Sequence, residues 1–200
     1  MKRRALLMAA LPLPAVPALA ATAPAPRLKA GVFEPAQPAP EFALKGSDGA
    51  ELRLARFKGK LVLLVFGFTN CPEVCPTTLA TLAQARKDLG ADAADVQVVY
   101  VTVDPERDDV ARIRQYLAAF DPTFVGGTEA PATLAAMRKR YGIVAEKVAN
   151  RGGAGTGSYG MNHSSSVYLI DRAGRLRAMM PYGHEAKDFV HDLKLLLATK

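Results

Sequence analysis

A chain of 200 residues can bury one substantial core and is too short for two ordinary domains. Half of it is hydrophobic and 22% is charged, which excludes a disordered or fibrous chain. Of the formal charge of +7, Lys2, Arg3 and Arg4 supply three; the remaining +4 is scattered without a basic run, so no nucleic-acid partner is expected.

The N-terminus has the grammar of an export signal. A basic start, Met1 to Arg4, precedes an apolar stretch from Ala5 to Ala20, and Ala18-Leu19-Ala20 is a small-x-small cleavage site that would start the mature chain at Ala21. The stretch is shorter than the ~20 residues of a spanning helix and contains Pro12, Pro14 and Pro17. Residues 1–20 are therefore expected to be a removed signal rather than an uncleaved anchor. The protein is expected to be exported to the periplasm, with tethering to the inner membrane as the alternative. Residues 21–40, rich in Ala and Pro, read as a semi-extended linker, and the domain is expected over residues 41–200.

Phe42, Leu44 and Leu52, Leu54 flank the turn Gly46-Ser47-Asp48-Gly49 and predict a β-hairpin. The continuous apolar run Leu61 to Phe68 predicts a strand buried on both faces. A helix follows over Thr77–Leu89, ending at Gly90, and Val96 to Val103 predicts a second buried strand. Asp108 or Asp109 can cap a helix running to Phe120. A short strand at 123–125, a helix at Pro131–Tyr141 and a weak strand at Ile143–Val148 come next. Asn150 to Asn162 reads as a loop with five glycines. Ser166–Ile170 and Leu176–Met180 predict a hairpin turning at Asp171-Arg172-Ala173-Gly174, and a last helix runs from about Glu185 to Ala198. Two βαβ steps followed by a hairpin and a helix predict an α/β fold with a mixed central sheet flanked by helices. With a cysteine pair at the end of the first long strand, the thioredoxin-like fold is the natural candidate, here with an N-terminal β-hairpin extension.

The two cysteines, Cys71 and Cys75, lie in Asn70-Cys71-Pro72-Glu73-Val74-Cys75-Pro76. A disulfide closing so short a loop restrains the unfolded chain little, so chemistry explains the pair better than stability. The spacing is C-x3-C, not the C-x-x-C of disulfide exchangers. Pro76 suits the first turn of a helix, which places the pair near a helix N-terminus, where free N–H groups favour thiolates. Two soft sulfurs suit Cu(I) or Zn(II) and are too few for an iron–sulfur cluster. Of three histidines, His163 lies between the glycine-rich loop and a strand, where the loop could bring it to the cysteines. Taken alone, such a histidine is more often a hydrogen-bonded surface residue. His184 and His191 read as solvated or packing residues. Asp104, Glu106 and Asp108 read as turn and capping groups before metal ligands, and Met161 as core before ligand.

The segments GFTNCPEVCPTT, VDPERD at 103–108 and NHSSSVYLIDRAG at 162–174 together resemble the Sco/SenC family of copper-binding proteins that assist cytochrome c oxidase assembly. The resemblance spans roughly residues 41–198. It implies a thioredoxin-like fold, one copper ion, Cu(I) or Cu(II), bound by Cys71, Cys75 and His163, and a Cys71–Cys75 disulfide that must be reduced before copper binds. It implies a chaperone rather than an enzyme. The implied partners are a copper-accepting subunit of cytochrome c oxidase, a reducing thioredoxin-like protein and an upstream copper donor; a monomer is expected. Two departures stand out: Asn162 where the family often has Asp, and Val125-Gly126-Gly127-Thr128 where a leucine is expected, a difference ascribed to local packing. The competing function is a thiol–disulfide oxidoreductase or redox sensor using the same cysteines. Against it, no proline occurs between Gly152 and Pro181, where exchangers place one before the strand facing the active site. A peroxidase is disfavoured because Phe68 and Pro72, not threonines, stand three residues before the cysteines.

Overall fold

The computed structural model describes residues 27–149 and 159–199. The expected signal at 1–20 and most of the expected glycine-rich loop lie outside the described residues. The strands are β1 (Gly31–Pro38), β2 (Ala43–Gly46), β3 (Glu51–Arg53), β4 (Leu61–Gly67), β5 (Val96–Thr102), β6 (Val125–Thr128), β7 (Ala145–Ala149), β8 (Tyr159–His163), β9 (Val167–Ile170) and β10 (Arg175–Met180). The helices are α1 (Val74–Leu89), α2 (Val110–Ala118), α3 (Pro131–Tyr141) and α4 (Ala186–Ala198). Eight strands form one mixed sheet in the order β1-β10-β9-β4-β5-β6-β2-β3, and β7 and β8 form a separate antiparallel ribbon.

The sheet follows from the apolar runs. β4 pairs parallel with β5 on one side and antiparallel with β9 on the other, so every β4 residue is buried. Alternate side chains serve opposite layers, as a period of two requires. Leu61, Leu63 and Val65 pack with Leu79, Leu82 and Ala85 of α1, Ile113 and Leu117 of α2, and Phe189, Leu193 and Leu196 of α4. Val62, Leu64 and Phe66 pack with Leu134, Met137 and Tyr141 of α3 and with Leu44 and Leu52 of the β2–β3 hairpin. Helices therefore cover both faces, and the thioredoxin-like reading stands. In β6, a methyl group at Gly126 would lie 2.5 Å from Ile113 Cγ2 and 2.8 Å from Leu117 Cδ1, so α2 packs directly on backbone there.

Three expectations need correction. The stretch expected as linker up to residue 40 is partly built into the domain: Ala30 is buried, β1 pairs with β10, and the buried Asp192 of α4 accepts the Lys29 and Ala30 N–H groups at 2.8 and 2.9 Å. Pro35 and Pro38 lack an N–H but cost little on an edge strand, so an Ala/Pro composition masked a strand. α1 begins at Val74 rather than Thr77, because Pro76 is tolerated within a first turn whose N–H groups lack helical partners anyway. His163 ends strand β8 instead of sitting in a loop, and β8 holds its place by pairing with β7.

Candidate metal centre

β4 ends at Gly67, and the chain turns through Phe68, Thr69 and Asn70 into the cysteines. That turn is fastened from below by Asp108, which is fully buried. Its carboxylate accepts from the Thr69 N–H at 2.9 Å, the Thr69 hydroxyl at 2.6 Å and the Thr102 hydroxyl at 2.7 Å. The α2 cap falls to Asp109, whose side chain accepts from the Arg112 N–H at 2.7 Å. The Asp108 role is larger than the capping expected of it: it ties the carboxyl ends of β4 and β5 together directly below the cysteine loop.

Glu73 occupies the cap position of α1 but makes no side-chain cap bond. Cys71 takes that place: its Sγ accepts the Cys75 N–H at 3.4 Å. The Cys71 thiol is held down to about 5 by a hydrogen bond from the Cys75 side chain, and by the N–H groups of Cys75, Glu73 and Val74. Burial opposes the shift but does not outweigh these donors. Cys75 is buried, and its thiol is pushed upward by the bond to Cys71 and by desolvation. Both cysteines are free. The reduced, metal-free protein should therefore react with iodoacetamide at Cys71 first. Thiolate is the nucleophile, so the rate should rise as pH rises through about 5 and then level off. Peptide mapping of the alkylated protein across a pH series checks this; a midpoint near that of a free thiol, ~8.5, would contradict it.

His163 Nε2 lies 3.5 Å from Cys75 Sγ. The other ring nitrogen, Nδ1, is 2.8 Å from the Ser164 carbonyl oxygen. A carbonyl only accepts, so Nδ1 donates to it, and Nε2 is the ring nitrogen that faces the sulfurs. The Phe68 ring meets the imidazole edge-on at 5.7 Å between centroids. The three candidate ligand atoms, two sulfurs and Nε2, all lie within 4.8 Å of one another. An ion at their centre can reach all three at ordinary bond lengths of about 2.0–2.3 Å after small side-chain adjustments. The donor set is soft and borderline, and suits copper or zinc.

The strand bearing His163 is clamped to the body of the domain. Asp104, also buried, pairs with Arg107 and accepts the Tyr159 hydroxyl at 2.6 Å. Arg107 lies over the Tyr159 ring at 3.8 Å and donates to the Tyr159 carbonyl at 2.9 Å. Lys147 of β7 pairs with Glu106 at 2.5 Å. The acidic cluster at 104–108 is thus structural, and no carboxylate joins the cysteine–histidine cluster among the described residues. Asn162 is exposed. Neighbouring residues of a strand point to opposite faces, so orientation of the imidazole falls to the Ser164 carbonyl instead of to the position before the histidine. His184 and His191 sit beside Asp188 and Asp192, apart from the centre. Met161 is half-buried and packs against the core layer that also holds Phe68 and Cys75.

Gly67 was missed from sequence, although a glycine closing a run of large apolar residues is a signal of close approach. A methyl group there would lie 2.8 Å from Tyr100 Oη and 2.9 Å from Cys75 Sγ. Gly67→Ala should displace the Cys75 sulfur and lower stability by about 1–3 kcal/mol, as overpacking does. Thermal unfolding with copper titration checks both effects; a variant matching the parent in both would refute the crowding argument.

A family model described as SCO1/SenC matches residues 33–198. An SCO2-like protein of Rickettsia felis is 30% identical over 154 residues, covering 77% of this chain and 74% of its own. The mitochondrial SCO2 homologue of mouse is 32% identical over 164 residues, 80% of this chain but 62% of that longer protein. The structure of Bradyrhizobium japonicum ScoI with copper bound is similar with a TM-score of 0.72 and 34% identity, over 79% of this chain and 98% of that one. Solution structures of apo Sco1 from Thermus thermophilus give a TM-score of 0.76 and 33% identity, over 87% and 99%.

Proposed function

The chain belongs to the SCO1/SenC family, and from that premise we propose that it is a copper chaperone that carries one Cu(I) or Cu(II) on Cys71, Cys75 and His163. The observation that carries the proposal is the convergence of two sulfurs and an imidazole nitrogen within 4.8 Å. Copper is the cargo, and the acceptor is the dinuclear copper site of cytochrome c oxidase. An exported location suits this role, with residues 1–20 as signal or tether and residues 21 onward as the working protein. Among the described residues no helix is long and apolar enough to cross a membrane.

Only thiolates hold the metal, so a Cys71–Cys75 disulfide is an off state. A thioredoxin-like dithiol supplies two electrons and two protons to restore the thiols and is itself oxidised to a disulfide. Loading draws on the half-formed site. Cys71 is already a thiolate near neutral pH, and Cys75 gives up its proton as its sulfur binds copper. Release proceeds by ligand exchange with acceptor cysteines and histidines. The half-exposed Cys71 and His163 are the ligands an acceptor reaches first, while buried Cys75 is the last to let go.

The lowered Cys71 thiol also supports a second reading, thiol–disulfide exchange. In it the Cys71 thiolate attacks a substrate disulfide and expels one substrate thiolate. The Cys75 thiol then loses its proton and attacks Cys71, releasing the second substrate thiol and leaving a Cys71–Cys75 disulfide. One experiment separates the two readings. The reduced protein is loaded with copper without air, its metal is counted, and it is mixed with a metal-free copper-accepting domain of cytochrome c oxidase. One copper per chain that passes to the acceptor is the expected result. A protein that holds no copper tightly yet reduces the acceptor's disulfide would overturn the chaperone reading in favour of exchange.

A further inference from the structure

Tyr100 stands in the middle of β5 and is wholly buried. Its hydroxyl oxygen is closed off from solvent and has no hydrogen-bond partner among the described residues. Buried hydroxyls without a partner are uncommon, because desolvation is then uncompensated. The hydroxyl is nevertheless placed beside a candidate ligand. Tyr100 Oη and Cys75 Sγ flank the same small gap over Gly67, 2.8 and 2.9 Å from the point a methyl group would occupy. A neutral thiol accepts a hydrogen bond weakly, whereas a thiolate accepts strongly. Across that gap the Cys75 sulfur is an acceptor for the Tyr100 hydroxyl, and a metal-bound thiolate is a strong one.

Building on the copper-site reading above, we propose that the Tyr100 hydroxyl donates an O–H···S hydrogen bond to the copper-bound Cys75 thiolate and acts as a positioning residue that tunes this ligand. A donor to a ligating sulfur withdraws charge from it. Cu(II) demands more donation than Cu(I), so the hydrogen bond biases the site toward Cu(I) and raises the energy needed to move an electron from sulfur to Cu(II). It also helps to fix the sulfur at a position that the glycine at 67 keeps open. Tyr116 offers a built-in control. Its hydroxyl is likewise buried and unpartnered, with its ring 6.0 Å from that of Tyr100, but it is not among the atoms nearest the Gly67 gap.

The test compares the full chain with Tyr100→Phe and Tyr116→Phe, each reduced without air and loaded separately with Cu(I) and Cu(II). In Tyr100→Phe the thiolate-to-Cu(II) charge-transfer band should move to longer wavelength. The ratio of the Cu(II) to the Cu(I) dissociation constant should fall about tenfold, the scale of one hydrogen bond to a charged group. Tyr116→Phe should leave both unchanged. Should Tyr100→Phe fold poorly, 3-fluorotyrosine at position 100 keeps the ring, strengthens the donor and should move the band to shorter wavelength. A band that stays in place in the Tyr100 variants, or shifts equally in Tyr116→Phe, overturns the inference while leaving the copper site standing. A parent protein with no charge-transfer band overturns the copper reading and this inference with it.

Discussion

His163→Ala is expected to weaken Cu(II) binding by more than about a hundredfold while changing Cu(I) binding by about tenfold or less; loss of a mere outer partner costs 10–100-fold. The asymmetry follows from the ligands. Cu(I) is satisfied by two thiolates, and Cys71 and Cys75 remain in the variant. Cu(II) needs a harder donor as well, and Nε2 is the nitrogen in the cluster. Cys75→Ala should be more severe for both oxidation states, because it removes the buried sulfur and the donor that steadies the Cys71 thiolate. Competition titrations with chelators of known affinity check the result. Equal losses for Cu(I) and Cu(II) in His163→Ala would refute the division of roles, and no loss at all would remove His163 from the site.

Asp108→Ala is expected to destabilise the protein by about 3–4 kcal/mol, with the unfolding midpoint lowered by about 10 °C for a chain of this size. Asp108 is fully buried and accepts from two donors of Thr69 and one of Thr102, so its removal orphans all three at once. Arg112, 3.8 Å away, loses its charge partner but can turn to solvent, since it is half exposed. Asp108→Asn keeps the volume and one carbonyl acceptor and should cost about half as much. Calorimetry on the metal-free protein measures this without interference from copper. A loss below about 1 kcal/mol in the alanine variant would mean that the carboxylate does not hold the loop.

Both expectations rest on a division of labour at the carboxyl ends of β4 and β5. Cys71 and Cys75 stand at a helix start whose open N–H groups stabilise one thiolate. Asp108 fixes the entry to that helix from one side, and Asp104 with Arg107 fixes the strand of His163 from the other. The site is thus held by three separate devices, all built within the domain.

Much of this was legible in the residues. The apolar runs 61–68 and 96–103 could bury both faces only as central strands, and α3 lies over Pro131–Tyr141 as its proline start and glycine stop require. Cys71 and Cys75 advertised themselves by type, by spacing and by Pro76. His163 was legible through the family resemblance, not through its own neighbourhood. Other features depended on atoms distant in sequence. The edge strand β1 exists because β10 and Asp192 receive it, which an Ala/Pro-rich stretch does not announce. The Ser164 carbonyl, and not residue 162, orients the imidazole, because strand pleat turns Asn162 outward. Asp108 is a keystone only because Thr69 and Thr102, 39 and six residues away, converge on it. Gly67 and Tyr100 matter only because β4 and β5 run side by side and bring both against the Cys75 sulfur. Local pattern sets most of the elements and the chemistry they carry; edge strands such as β1, and which buried polar atoms find partners, are decided only when distant segments are packed together.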